Sequence, residues 1–111
     1  MILFAMLVYL NGRFVPKEKA VVSAFDHGFL YGDGIYETMR AYRGTIFHIK
    51  QHLSRLKQSA AAISLKLPLP TKMIEEALNR SVQINKLQEA YIRLHISRGP
   101  GEPAATPPPE R

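Results

Sequence analysis

Two stretches far apart in the chain carry one pattern, and that pattern narrows the folds open to it. From Gly34 to Tyr42 the residues alternate, with Ile35, Met39 and Ala41 on one side and Tyr36, Thr38, Arg40 and Tyr42 on the other. Glu37 is the exception, a carboxylate on the apolar side. From Ala90 to Arg98 the design repeats: Ile92, Leu94 and Ile96 share one face, and Tyr91, Arg93, His95 and Ser97 the other. A period of two belongs to strands with one face buried and one wet. If both strands lie in one sheet, their wet faces pool into a floor of phenols, guanidiniums and an imidazole. Such groups offer hydrogen-bond donors to an anionic ligand. Taken alone, each strand also reads as an ordinary half-buried strand whose outer face is merely hydrated.

Composition sets the bounds. The 111 residues, 46% of them apolar, suffice for one domain with its own core. The absence of cysteine excludes disulfides, zinc–thiolate sites and thiol catalysis, and it suits a cytoplasmic protein. No metal site is expected. The first ten residues are apolar, but they are too few to span a bilayer and lack a basic start or cleavage site. They read as a strand with extra residues in front, and no membrane association is expected. Net charge is +6, yet the fifteen Lys and Arg residues are scattered near turns and element ends. With no basic run interleaved with aromatics, a nucleic-acid surface is not expected.

In chain order, Met6 to Leu10 and Arg13 to Val15 read as strands around an Asn11-Gly12 type I′ turn, with Pro16 ending the hairpin. Lys17 to Val22 reads as a short edge segment leading into a loop through Asp26, His27 and Gly28 and the G-D-G of Gly32, Asp33 and Gly34. The strand to Tyr42 turns at Arg43-Gly44 into a brief Thr45 to Phe47 strand. A helix follows from about His48 to Ser64, its apolar stripe Ile49, Leu53, Leu56, Ala60 and Ile63, with Arg55 at the stripe's border. Leu67-Pro68-Leu69-Pro70 breaks it, and Thr71 is placed to cap a second helix reaching about Asn85, with Ile74, Ala77, Leu78 and Val82 inward. After the Tyr91 strand, five prolines between residues 100 and 109 leave only a loop or tail.

This order of motifs, D-H-G-x-x-Y-G-D-G-x-Y-E, then H-L-S-R-L, then A-Y-I-R and an Arg98-Gly99 loop, resembles the N-terminal domain of the class IV (fold type IV) aminotransferases. That family includes branched-chain and D-amino acid aminotransferases and aminodeoxychorismate lyase, and the likeness runs from about Met6 to Gly101. It implies an α+β fold, a mainly antiparallel sheet with two helices packed on one face, as in the small domain of D-amino acid aminotransferase-like proteins. It also implies pyridoxal 5'-phosphate as cofactor, amino acid and 2-oxo acid substrates, and a homodimer.

Residue by residue, the resemblance makes Arg55 the guanidinium that grips the cofactor phosphate, near the rim of the Tyr/Arg floor. Tyr31, Tyr36, Thr38, Arg40, Tyr91 and Arg93 become substrate-pocket residues, with Arg93 meeting a substrate carboxylate. Thr38 stands where branched-chain enzymes often have Gly, which narrows the pocket and brings Y-E-T closer to the D-amino acid or lyase type. His27 and His95 read as structural and face residues. The family's Schiff-base lysine lies in a C-terminal domain, and none of the seven lysines here has a matching context. The expectation is therefore a class IV N-terminal domain over residues 1–99, a Gly/Pro-rich loop or tail over 100–111, no catalytic residue, and no activity without the missing C-terminal domain. The alternatives are a lyase of the aminodeoxychorismate type and a non-catalytic, self-associating fragment.

Overall fold

The two alternating stretches pair with each other. In the computed structural model, which describes residues 6–100, strand β3 (Gly34–Tyr42) runs antiparallel to β5 (Ala90–Ser97) along its length, from Gly34 opposite Ser97 to Ala41 opposite Ala90. Strand β4 (Thr45–Ile46) adds to the other edge of β3 through a turn in which both Arg43 and Gly44 have positive φ. The order β4-β3-β5 makes β3 central.

Helices α2 (Ile49–Ala62) and α3 (Thr71–Ile84) cover the apolar side of this sheet. The stripes on the helices meet the alternating residues of the strands: Leu53, Leu56 and Ala60 from α2 and Ile74, Leu78 and Val82 from α3 are buried with Ile35, Met39, Ala41, Ile46 and Ile96. Ile92, Leu94, Ile49 and Ile63 pack against that cluster while staying partly exposed. Because both helices take the same side, the opposite face of β3 and β5 keeps its polar residues in the open. The α+β architecture with its helices on one face is as expected.

The N-terminal hairpin forms a separate two-stranded sheet, β1 (Leu7–Leu10) with β2 (Arg13–Pro16), rather than joining the main one. Its turn has φ of 50° at Asn11 and 94° at Gly12, as a type I′ turn requires. A lone hairpin is marginally stable, and this one is tied down by Asn85 at the end of α3. The Asn85 Oδ1 accepts from the Leu7 amide at 2.8 Å, and its Nδ2 donates to the Leu7 carbonyl at 2.9 Å, so the side chain mimics a strand neighbour.

Local expectations needed correction in five places. Lys17–Lys19 is a turn of 3-10 helix, not an edge strand. Residues 27–31, expected as loop, form a short helix, α1 (His27–Tyr31). Thr71 is the first residue of α3 and makes no capping hydrogen bond; Pro70 precedes it with extended backbone, which starts the helix by geometry rather than by a side-chain cap. Phe47 falls outside β4, and Pro16 inside β2. The expectations for the first five residues and for 101–111 lie outside the described residues.

Candidate functional site

The register of β3 and β5 sets Tyr36 opposite His95, Thr38 opposite Arg93, and Arg40 opposite Tyr91, all on the open face. The pooled floor therefore exists. Its cations lie on its aromatic rings: the Arg40 guanidinium is 4.6 Å from the Tyr91 ring centre and 5.1 Å from that of Tyr42, and the Arg93 guanidinium is 4.2 Å from that of Tyr36. The Tyr36 and His95 rings lie 6.2 Å apart. Among the described residues neither Arg40 nor Arg93 makes an ion pair. The cation–π contacts steady these two arginines, and no acidic group among the described residues takes up their N–H groups.

Glu37, the anomaly on the apolar side of β3, is 4% exposed and has its own partners there. Arg55 on α2 grips it with both arms, Nε donating to Oε2 at 2.9 Å and Nη2 to Oε1 at 2.7 Å. One turn earlier on the same helix, His52 Nδ1 lies 2.7 Å from Oε1. The Arg55 hydrogen bonds hold the Glu37 carboxyl below the ordinary carboxylate range, burial pushes it the other way, and His52 adds to the lowering. The same pairing raises Arg55, which stays cationic. Its side chain is 64% exposed, and no described residue accepts from Nη1. Arg55 thus stands on the helix side of β3, across the strand from Arg40 and Arg93 rather than among the floor residues. The sequence signal for this trio was present, a misplaced carboxylate on a strand and a His-x-x-Arg on a helix, but only packing shows that they meet.

Tyr31 is carried by α1, edge-on to the His27 ring at 5.2 Å between centres. The D-H-G and G-D-G glycines explain how α1 sits against the floor's end. Asp26 caps α1 by accepting from the Gly28 amide at 2.8 Å, and Gly32 ends it with a left-handed φ of 66°. A Cβ on Gly28 would lie 2.7 Å from the Ser97 Cβ, and one on Gly34 would lie 2.8 Å from the Ile96 carbonyl oxygen. Asp33 and Arg98, which sequence reasoning passed over, close the same corner. Arg98 Nε donates to Asp33 Oδ2 at 2.7 Å and Nη2 to the Ile63 carbonyl at 2.7 Å, joining the buried carboxylate to the C-terminal end of α2. A groove of about 620 Å³ between α2 and α3, lined by Lys50, Lys57, Lys72 and Glu75 among others, belongs to the helix layer and not to the floor.

A sequence model of the family described as amino-transferase class IV matches residues 34–111. The chain belongs to the class IV aminotransferases. It is 44% identical over 97 residues to a putative branched-chain-amino-acid aminotransferase of Methanocaldococcus jannaschii, an alignment covering 87% of this chain and 34% of that protein. It is 37% identical over 95 residues to the aminodeoxychorismate lyase of Bacillus subtilis, covering 84% and 32%. Among solved structures it superposes on a T.th. branched-chain amino acid aminotransferase with pyridoxamine 5'-phosphate at a TM-score of 0.81 and 35% identity, covering 86% of this chain and 33% of that one. This class IV chain spans about a third of the length of the relatives it matches.

Proposed function

We propose that these residues are the small-domain half of a pyridoxal-phosphate-dependent aminotransferase that moves an amino group from a branched-chain or D-amino acid to a 2-oxo acid. The observation that carries this reading is the floor: Arg40 and Arg93, both without an acidic partner among the described residues, are presented side by side on tyrosine faces. In that reading Arg93 binds the substrate carboxylate through in-plane N–H groups, Arg40 adds positive potential, and Tyr31, Tyr36, Thr38 and Tyr91 shape the pocket. The donor set also fits the cofactor. Arg55 has an exposed guanidinium whose Nη1 has no acceptor among the described residues, and a planar fork of donors suits phosphate. When bound, the cofactor supplies an electron sink for the amino acid's α-carbon. The lysine that would hold it and move the proton is assigned to a further domain of the complete enzyme, since no lysine here has the family context.

A homodimer is part of the reading. Val21, Val22, Phe25 and Phe29 are more than half exposed in one short segment that runs into α1, and such a run calls for a covering surface. A cytoplasmic setting is likewise proposed from the cysteine-free composition; no helix among the described residues is long and apolar enough to cross a membrane. The likeness to the Bacillus subtilis protein keeps a lyase reading in view. The complete protein, given amino acid and 2-oxo acid, is expected to exchange amino groups, with Arg93→Ala raising KM for both substrates. Release of pyruvate from aminodeoxychorismate without any 2-oxo acid requirement would replace this reading with the lyase. The present chain incubated with pyridoxal 5'-phosphate is expected to form no stoichiometric imine that survives dialysis.

A further inference from the structure

We propose that Glu37 and His52 are positioning residues that hold the Arg55 guanidinium in one orientation, with its Nη1 edge turned outward for the phosphate; this rests on the reading of Arg55 given above. A carboxylate among Ile35, Met39 and Leu56 is costly unless it is paired, and its two oxygens are taken by three donors, Arg55 Nε, Arg55 Nη2 and His52 Nδ1. Two parallel bonds to a rigid, buried acceptor fix the plane of the guanidinium, which a single contact would leave free to swing. His52 stands one helical turn before Arg55, where its ring bonds to the oxygen shared with Nη2 and keeps the carboxylate from turning away. An exposed arginine otherwise samples many rotamers, and a ligand must then order it on binding. Glu37 has done that ordering in advance.

The alternative role for Glu37 is that of a plain counter-ion, and the two roles predict opposite signs. Neutralising a counter-ion raises the local positive potential and tightens phosphate binding. Removing a positioning group loosens it, by about two- to tenfold for one freed long side chain. The probe is pyridoxamine 5'-phosphate, which carries the phosphate but no aldehyde to react with surface lysines, with pyridoxamine as the control. In the full 111-residue chain, its binding is followed by the Arg55 Nε–Hε resonance, and rotation about the Arg55 Cζ–Nε bond by exchange between the Nη signals.

Glu37→Gln is expected to weaken binding and speed the rotation. His52→Leu should weaken binding less, and His52→Asn, which restores a donor near the Nδ1 position, should recover it. The His52 pair keeps the test alive if Glu37→Gln does not fold. Unchanged or tighter binding in Glu37→Gln, with rotation as slow as in the parent, overturns the positioning role while Arg55 remains the phosphate ligand. Arg55→Lys binding the probe as well as the parent, or a parent that shows no phosphate-dependent shift, overturns the Arg55 reading instead; slow Nη exchange that persists in Glu37→Gln would then remove the positioning role as well.

Discussion

Gly28 of the D-H-G motif lies where α1 meets the end of β5, and Gly28→Ala measures how closely they touch. The new Cβ would stand 2.7 Å from the Ser97 Cβ. Carbon pairs settle at about 3.5–4.0 Å, so helix and strand must part by roughly 1 Å. That distortion costs about 1–3 kcal/mol. Alanine offsets part of it, by about 1 kcal/mol, because glycine is the poorer helix former. The net expectation is a loss of about 0–2 kcal/mol, read from the denaturant midpoint. The next atom, Asp26 Oδ1, stands at 3.0 Å, but the nearest contact has a specific remedy. Ser97→Gly removes that Cβ; alone it loses the Oγ that accepts from the Gly99 amide at 3.1 Å, and is itself destabilising. On the Ser97→Gly background the 2.7 Å clash is gone, so Gly28→Ala should cost about 1–3 kcal/mol less than in the parent, and that difference is the coupling between the two substitutions. If Gly28→Ala costs the same in both backgrounds to within about 0.5 kcal/mol, the steric account of the motif is wrong.

Two other outcomes are expected. Asn85→Ala removes both side-chain bonds to Leu7, about 1 kcal/mol each, so hydrogen exchange at the Leu7 amide should speed by roughly 30-fold while the β3–β5 amides hold; equal protection in the two proteins would mean that the hairpin is held by something else. Glu37 is held below its ordinary value of 4.5, so its pairing stabilises the fold fully above that value and the stabilisation is lost as pH falls through the lower, folded-state value. The stability gap between the parent and Glu37→Gln should therefore shrink on acidification from about pH 6 to about pH 3, and a gap constant over that range would show that the folded state does not favour the ionised carboxyl.

Periodicity by itself determined which side chains share a face. A strand turns its residues over every second position and a helix every 3.6, so Tyr36, Arg40, Tyr91 and Arg93 were assigned to an open floor, and Leu53, Leu56, Ile74 and Leu78 to a core, from spacing alone. The Asn11-Gly12 turn was equally legible, because its positive φ values favour those residues. Tertiary structure decided what the faces meet. The acceptor of Arg55 lies on β3, the hold on the hairpin comes from a side chain 78 residues from Leu7, and the nearest atom to a Cβ on Gly28 belongs to Ser97. None of these leaves a mark on the local pattern, since a period records direction and not distance along the chain. Helix α1 escaped for the opposite reason. At five residues it is too short to show a period, and its cap at Asp26 and its left-handed stop at Gly32 hold it in place.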